Sequence, residues 1–135
     1  MSMSMSMRRR TGLLAWLPVL AWAAVIFGLS AQPNLRFVSD EGLDFVVRKI
    51  GHMGVFGILA LLVWRGLGMS TAWRRPRTWT VALGATALYA ISDELHQGFV
   101  AGRHPSPVDV GIDGAGAAVA IGVVLVLARG SRHGE

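Results

Sequence analysis

Four apolar segments, each about as long as a bilayer-spanning helix, constrain this chain more than any other feature. They occupy residues 12–30, 50–69, 78–97 and 108–128. Apolar residues cover most of each helical circumference, whereas a soluble amphipathic helix carries a single apolar face. A hydrocarbon core about 30 Å thick needs about 20 such residues in a helix, which satisfies its own backbone hydrogen bonds in lipid. The pattern therefore predicts an all-α membrane protein, built as a bundle of four transmembrane helices.

The composition supports that class and excludes others. Hydrophobic residues make up 53% of the 135 residues and charged residues 16%, against about a quarter charged in soluble domains. The net charge of +5 comes from short basic clusters beside the apolar segments, so no nucleic-acid partner is predicted. Because the chain has no cysteine, a disulfide framework and a thiolate metal site are both excluded.

The distribution of Lys and Arg predicts how the four segments are oriented. If the N-terminus is cytoplasmic, the cytoplasmic side holds nine basic residues: Arg8, Arg9, Arg10, Arg65, Arg74, Arg75, Arg77, Arg129 and Arg132. The outer side then holds four, which are Arg36, Arg48, Lys49 and Arg103. Cytoplasmic loops carry the excess of Lys and Arg in membrane proteins, so both termini are predicted to be cytoplasmic (N-in/C-in).

One membrane domain is predicted over residues 12–128, with a disordered cytoplasmic N-terminus at 1–11 and a cytoplasmic tail at 129–135. The low-complexity opening MSMSMSM is typical of disorder. A cleaved signal peptide is the alternative for the first segment, because a basic start precedes an apolar stretch. The length of that stretch, its Trp and Pro residues and the lack of a small-x-small site favour a retained helix.

Acidic residues are concentrated where the third apolar segment gives way to the fourth. Of eight acidic residues, seven lie either at 93–113 or in a predicted loop at 40–44, and only Glu135 lies elsewhere. Charged side chains at membrane depth are costly, and they usually face a protein interior or a water-filled cavity. Those near the ends of the segments are therefore candidate functional residues.

Helical spacing predicts which of these side chains meet. Asp109 and Asp113 lie one turn apart, so they share a face of the fourth segment. In the third segment Asp93 shares a face with His96 and Gln97. Three helices are then predicted to bring one set of side chains to a shallow pocket that opens outward: His52, Asp93, His96, Asp109 and Asp113.

The predicted roles divide by chemistry. The candidates for proton transfer or catalysis are Asp93, Glu94, His96 and His52, with Glu94 on a different helix face from Asp93. The candidates for ligand binding are Lys49, Gln97, Arg103, Asp109 and Asp113. The loop prolines could hold Arg103 where its guanidinium binds phosphate, and an ion pair with one of the nearby carboxylates, for instance Asp109, is the alternative. For Lys49 and His52, snorkelling and a buried structural contact are the alternatives.

Neither a metal nor a cofactor is specified by the sequence. Histidine and carboxylate are suitable ligands for several divalent metals. However, the chain lacks the paired histidines of a motif such as HExxH, so no metal site is predicted.

Small residues recur every fourth position in the last segment. Gly114, Ala118 and Gly122 form a small-xxx-small stripe. Such a stripe allows close approach of a second helix in a membrane, and it predicts that this face contacts a neighbouring helix.

Three stretches of the sequence resemble the VanZ-like membrane family. They are GLSAQP at 28–33, RKIGHMGVFGILALL at 48–62, and DELHQGFVAGRHPSPVDVGIDGAGA at 93–117. The similarity covers roughly residues 12–128. By resemblance, the characteristic positions of the family are Lys49, His52, Asp93, Glu94, His96, Gln97, Gly102, Arg103, Asp109 and Asp113.

The resemblance implies a multi-pass protein of the bacterial cytoplasmic membrane. The founding member of the family is linked to resistance to the glycopeptide antibiotic teicoplanin, but shared fold alone does not supply a reaction. Three hypotheses remain open. The outer pocket could bind a lipid-linked or phosphorylated envelope component or a lipid head group, it could catalyse a reaction on such a component, or the protein could be a non-catalytic accessory subunit. The lipid bilayer is the expected partner, and a second copy of the chain is a further candidate.

Overall fold

A computed structural model describes residues 12–33 and 35–131, and these residues form an all-helical fold. The helices are α1 (Leu17–Ser30), α2 (Glu41–Ser70), α3 (Arg75–Gln97) and α4 (Pro107–Gly130). No strand occurs within the described ranges, which confirms the predicted all-α class. The disorder predicted for 1–11 and the last four residues of the predicted tail lie outside the described residues.

Helix α2 begins well before its apolar stretch. Its first residue is Glu41, and the side chain of Asp40 caps it by accepting a hydrogen bond of 2.8 Å from the backbone N–H of Leu43. Glu41 and Asp44 therefore lie in the first helical turn, and the prediction of a loop over 40–44 is wrong for these two residues. Carboxylates in a first turn are stabilised by the positive end of the helix dipole, which favours extending the helix to this point.

Helix α1 is antiparallel to α2 and parallel to α3. The indole N–H of Trp22 donates to the backbone oxygen of Val55 at 2.8 Å, whereas earlier in α1 the ring of Trp16 lies against Gly66, later in α2. Contacts between α1 and α3 advance in the same direction along both helices. Tyr89 donates to the backbone oxygen of Ala23 at 2.6 Å, and seven residues further along α1 the hydroxyl of Ser30 donates to Asp93 at 2.7 Å.

Helices α2 and α4 are parallel and closely packed. The side chains of Lys49 and Asp109 are paired, and the next pair along both helices is His52 with Asp113.

The four helices thus alternate in direction. The C-terminal ends of α1 and α3 and the N-terminal ends of α2 and α4 form one end of the bundle, here called the polar end. The opposite end carries Arg74, Arg75, Arg77 and Arg129 and is called the basic end.

The outer surface of the bundle is apolar, as expected for helices that contact lipid. Leu20, Leu88 and Leu127 are 65%, 69% and 67% exposed, whereas Phe56 is fully buried in the core between the helices. Three helical stretches are long and apolar enough to cross a membrane: Gly12–Ser30, Glu41–Ser70 and Pro107–Gly130. A soluble protein rarely exposes large contiguous apolar patches, so this surface supports a membrane protein.

The close contact between α2 and α4 is made at Gly116 rather than at the predicted stripe. A Cβ atom at Gly116 would overlap the backbone of Met53, and one at Gly57 would lie 3.2 Å from Ala120. Cβ positions at Gly114 and Gly122 meet no atom within 4 Å. The prediction that the Gly114 stripe faces a neighbouring helix is therefore wrong for its two glycines, because the inward face of α4 is the one that contains Asp113 and Gly116.

Candidate functional site

Two pairs of side chains join α2 to α4 at the polar end. Lys49 donates to Oδ1 of Asp109, and Nδ1 of His52 lies 3.0 Å from Oδ1 of Asp113. The carboxyl group of Asp113 is fully buried, and the ring of His52 is about three-quarters buried. Because Asp109 is bonded to Lys49, the structure does not contain the alternative ion pair of Asp109 with Arg103. The predicted common face of Asp109 and Asp113 is confirmed, since both contact α2.

Asp93 is held by α1 and by its own helix. Its Oδ2 atom accepts a hydrogen bond of 2.7 Å from Ser30 and one of 3.0 Å from the side-chain amide of Gln97. Its Oδ1 atom is buried and has no hydrogen-bond partner among the described residues. An unpaired buried carboxylate oxygen is costly. The carboxyl group of Asp93 that carries this unbonded oxygen lines a cavity, described below.

Ser30 was not predicted as a site residue. Its contact with Asp93 links positions that are 63 residues apart. The one sequence signal that could have indicated Ser30 is its place in the GLSAQP stretch, at the end of the first apolar segment.

An apolar cavity of about 90 Å³ lies beside Asp93, between α1, α2 and the loop that joins them. Its apolar lining consists of Ile26, Leu29, Leu35, Phe37, Val55 and Phe56. Its polar wall is formed by Ser30, Arg48, His52, Asp93 and Arg103. The cavity therefore has an apolar side and a charged side.

Two polar cavities adjoin the apolar one. The central polar cavity, of about 240 Å³, is lined by Lys49, His52, Gln97, Arg103, His104 and Asp109 among others. The peripheral polar cavity, of about 330 Å³, is lined by Arg36, Glu41, Asp44, Arg48, Gly102 and Arg103 among others. Arg48 and Arg103 line all three cavities, so the three are contiguous around these two guanidinium groups.

All four basic residues that the sequence assigns to the outer side converge on these cavities. Three of them have carboxylate partners: Arg36 with Glu41 at 3.9 Å, Arg48 with Asp44 at 3.0 Å, and Lys49 with Asp109. Arg103 has no ion-pair partner among the described residues, and its Nε atom is buried without a hydrogen-bond partner. Gly102, directly before it, has φ of 76°, a conformation that glycine adopts without strain and that directs the chain into this position.

Glu94 and His96 lie outside the three cavities around Arg103. Glu94 is buried and accepts a hydrogen bond of 2.8 Å from the backbone N–H of Ser106, which fixes the loop at the start of α4. This position agrees with the prediction that Glu94 points away from Asp93. The ring of His96 stacks on Phe27 of α1, with the ring centroids 4.1 Å apart. The structure therefore does not bring His96 into the pocket with His52 and Asp93.

The side chains of the described residues form no group of three or more His, Asp and Glu that is placed to hold a metal ion. Their carboxylates are bonded to Arg36, Arg48, Lys49, His52, Ser30, Gln97 and backbone N–H groups.

The model of the VanZ/LLP1 family matches residues 3–128, which is nearly the whole chain. This protein belongs to the VanZ/LLP1 family. Comparison with curated proteins and with solved structures finds no match to the chain. The resemblance predicted from the three sequence stretches is thus confirmed, whereas the comparisons assign no ligand or reaction to this VanZ/LLP1 protein.

Most of the predicted site residues meet at the polar end of this VanZ/LLP1 protein. Those lining the three cavities are Lys49, His52, Asp93, Gln97, Arg103 and Asp109. Asp113 lies behind His52 and is bonded to it. The arrangement offers a bound ligand an unpaired guanidinium, an imidazole positioned by a carboxylate, and a free carboxylate oxygen.

Proposed function

We propose that this VanZ/LLP1 protein crosses the bacterial cytoplasmic membrane four times and binds a phosphorylated envelope component at its polar end, on the outer face. The observation that carries the proposal is Arg103, a partly buried guanidinium without an ion-pair partner among the described residues, at the junction of three cavities. Any part that the protein plays in resistance to teicoplanin would act through this outer site.

The course of the chain supports α3 as the fourth span. Helices α2 and α4 are parallel, and each is long and apolar enough to cross a membrane. A chain that leaves α2 at the basic end must cross back before α4 begins at the polar end. Helix α3 makes that connection with 23 residues, about 34 Å at 1.5 Å per residue, against about 30 Å of hydrocarbon. The excess of basic residues at the other end supports N-in/C-in orientation.

Single cysteines introduced into this cysteine-free chain will report that topology. We expect Ala101→Cys, in the loop between α3 and α4, to react with a membrane-impermeant maleimide in intact cells. We expect Ala72→Cys, in the loop between α2 and α3, to react only after permeabilisation, although both alanines are exposed. The unmodified chain is the blank, since it has no cysteine. Labelling of both variants in intact cells would show that α3 does not cross the membrane.

Electrostatics and geometry support an anion as the ligand. An unpaired charge in a partly desolvated position is unfavourable until a counter-charge binds. A guanidinium forms paired, charge-assisted hydrogen bonds with phosphate oxygens. Arg48, Lys49 and Arg103 line the central polar cavity, whereas Asp109, which is paired with Lys49, is its single carboxylate, so the side-chain charges around this cavity favour an anion. His52 and Asp93 border the bound group and are the residues placed to orient it or to exchange protons with it.

Substitution of Arg103 tests the proposal. We expect purified protein in neutral detergent to bind a phosphate monoester, either glycerol 3-phosphate or dihexanoyl phosphatidic acid, in a calorimetric titration. Arg103→Gln removes the charge and the paired donors, so its affinity should fall about 10- to 100-fold. Arg74→Gln, an exposed arginine at the basic end, is the matched control and should bind like the original protein. Equal binding by Arg103→Gln, or no binding by the unmodified protein, would refute the proposal.

A further inference from the structure

The apolar cavity is not accounted for by a soluble anion. Six of its lining side chains are apolar, yet it shares Arg48, His52 and Arg103 with the polar cavities. Phosphate or a soluble phosphate ester would fill only the polar side and would leave apolar surface against water. The ligand that complements both sides carries an anionic group and a hydrocarbon next to it.

The apolar cavity also reaches the outer surface of the bundle between α1 and α2. Leu29 and Phe37 line it and are 40% and 57% exposed. Gly51 lines it from α2, is exposed, and has no atom within 4 Å of its Cβ position. Towards the basic end, Trp22 closes the gap between the helices by bonding to Val55. The opening thus lies in the polar half of the seam between α1 and α2. Leu29 and Gly51 are at the ends of the predicted spans 12–30 and 50–69, so the opening is expected to face lipid near the outer surface of the membrane.

We infer that the anion bound at Arg103 is the head group of a lipid, and that the first part of its hydrocarbon occupies the apolar cavity and leaves between α1 and α2 into the bilayer. This inference rests on the proposed function, and it assigns the ligand to the class of phosphate-bearing lipids. A cavity of about 90 Å³ holds about three groups of the size of water or a methylene. Burial of that much hydrocarbon strengthens binding on the order of 10- to 100-fold over the head group alone.

Gly51 offers a direct test, because it lines the cavity and a Cβ atom there has no neighbour within 4 Å, so a larger side chain can be introduced at the cavity wall. Dihexanoyl phosphatidic acid and glycerol 3-phosphate are both phosphate monoesters, and the first carries two hexanoyl esters where the second has free hydroxyl groups. The ratio of their dissociation constants therefore reports the contribution of the acyl chains. We expect the unmodified protein in neutral detergent to bind the lipid on the order of 10- to 100-fold more tightly. In Gly51→Leu this ratio should fall to near one.

Gly54→Leu is the matched control for this substitution. Gly54 lies one turn further along α2, is exposed, and also has no atom within 4 Å of its Cβ position, but it does not line the cavity. The ratio should be unchanged in this variant. Equal affinities for the two ligands in the unmodified protein, or an unchanged ratio in Gly51→Leu, would overturn the lipid assignment and leave anion binding intact. Failure of both ligands to bind would overturn the proposed function itself.

Discussion

Gly116→Ala is expected to lower the stability of the bundle by about 3 kcal/mol, at the upper end of the usual cost of overpacking. The added methyl group would overlap the backbone of Met53, which cannot move aside as a flexible side chain can. Helices α2 and α4 must therefore separate, and the pair of His52 and Asp113 one turn away would be strained. The five tryptophans allow thermal unfolding in detergent to be followed by fluorescence, and a fall in Tm on the order of 10 °C is expected.

Gly122→Ala controls for the change in helix propensity. Gly122 lies in the same helix, and a Cβ atom there meets nothing within 4 Å. Alanine is favoured over glycine in a helix by up to about 1 kcal/mol in water. The Tm of this variant should therefore be unchanged or slightly raised. If the two variants have the same Tm, the close contact at Gly116 does not contribute to stability.

The fold was predictable because a bilayer imposes one dominant pattern on a sequence. Apolar segments of about 20 residues cross lipid as helices, which satisfy their own backbone hydrogen bonds. The numbers of Lys and Arg residues on the two sides then predict the orientation of the helices. Helical spacing also predicted that Asp109 and Asp113 share a face, and both do contact α2. These inferences need only local sequence, since the period of a helix does not depend on its neighbours.

The remaining features depend on how the helices are rotated against one another, which local sequence does not determine. The stripe of Gly114 and Gly122 and the single Gly116 are equally plausible contacts by composition, but only Gly116 lies on the inward face of α4. Likewise, Asp93 and His96 both face α1, as their spacing predicted. Packing there stacks His96 on Phe27, so Asp93 lines the apolar cavity and His96 does not. The apolar cavity was unpredictable for the same reason.

Separating His52 from Asp113 is expected to have the largest effect on stability. His52→Leu would leave the fully buried carboxylate of Asp113 without its partner, and Asp113→Leu would leave the imidazole without its acceptor. Breaking a buried pair in this way costs about 3–5 kcal/mol, whereas replacing both members by apolar residues is often close to neutral. The double variant should therefore recover most of the stability lost in either single variant. Thermal unfolding of the four proteins measures the coupling directly.

The neighbouring pair of Lys49 and Asp109 is the matched comparison, because the carboxyl group of Asp109 is 17% exposed whereas that of Asp113 is fully buried. A cycle of Lys49→Met and Asp109→Leu should give a smaller coupling energy than the cycle of His52 and Asp113, because water still reaches the carboxylate of Asp109. Equal coupling in both cycles would contradict the assignment of His52 and Asp113 as the buried pair. A double His52→Leu/Asp113→Leu variant that is stable but no longer binds dihexanoyl phosphatidic acid would show that folding does not require the charged pair. The role of His52 would then lie in ligand binding, because its imidazole borders the cavities in which the ligand binds.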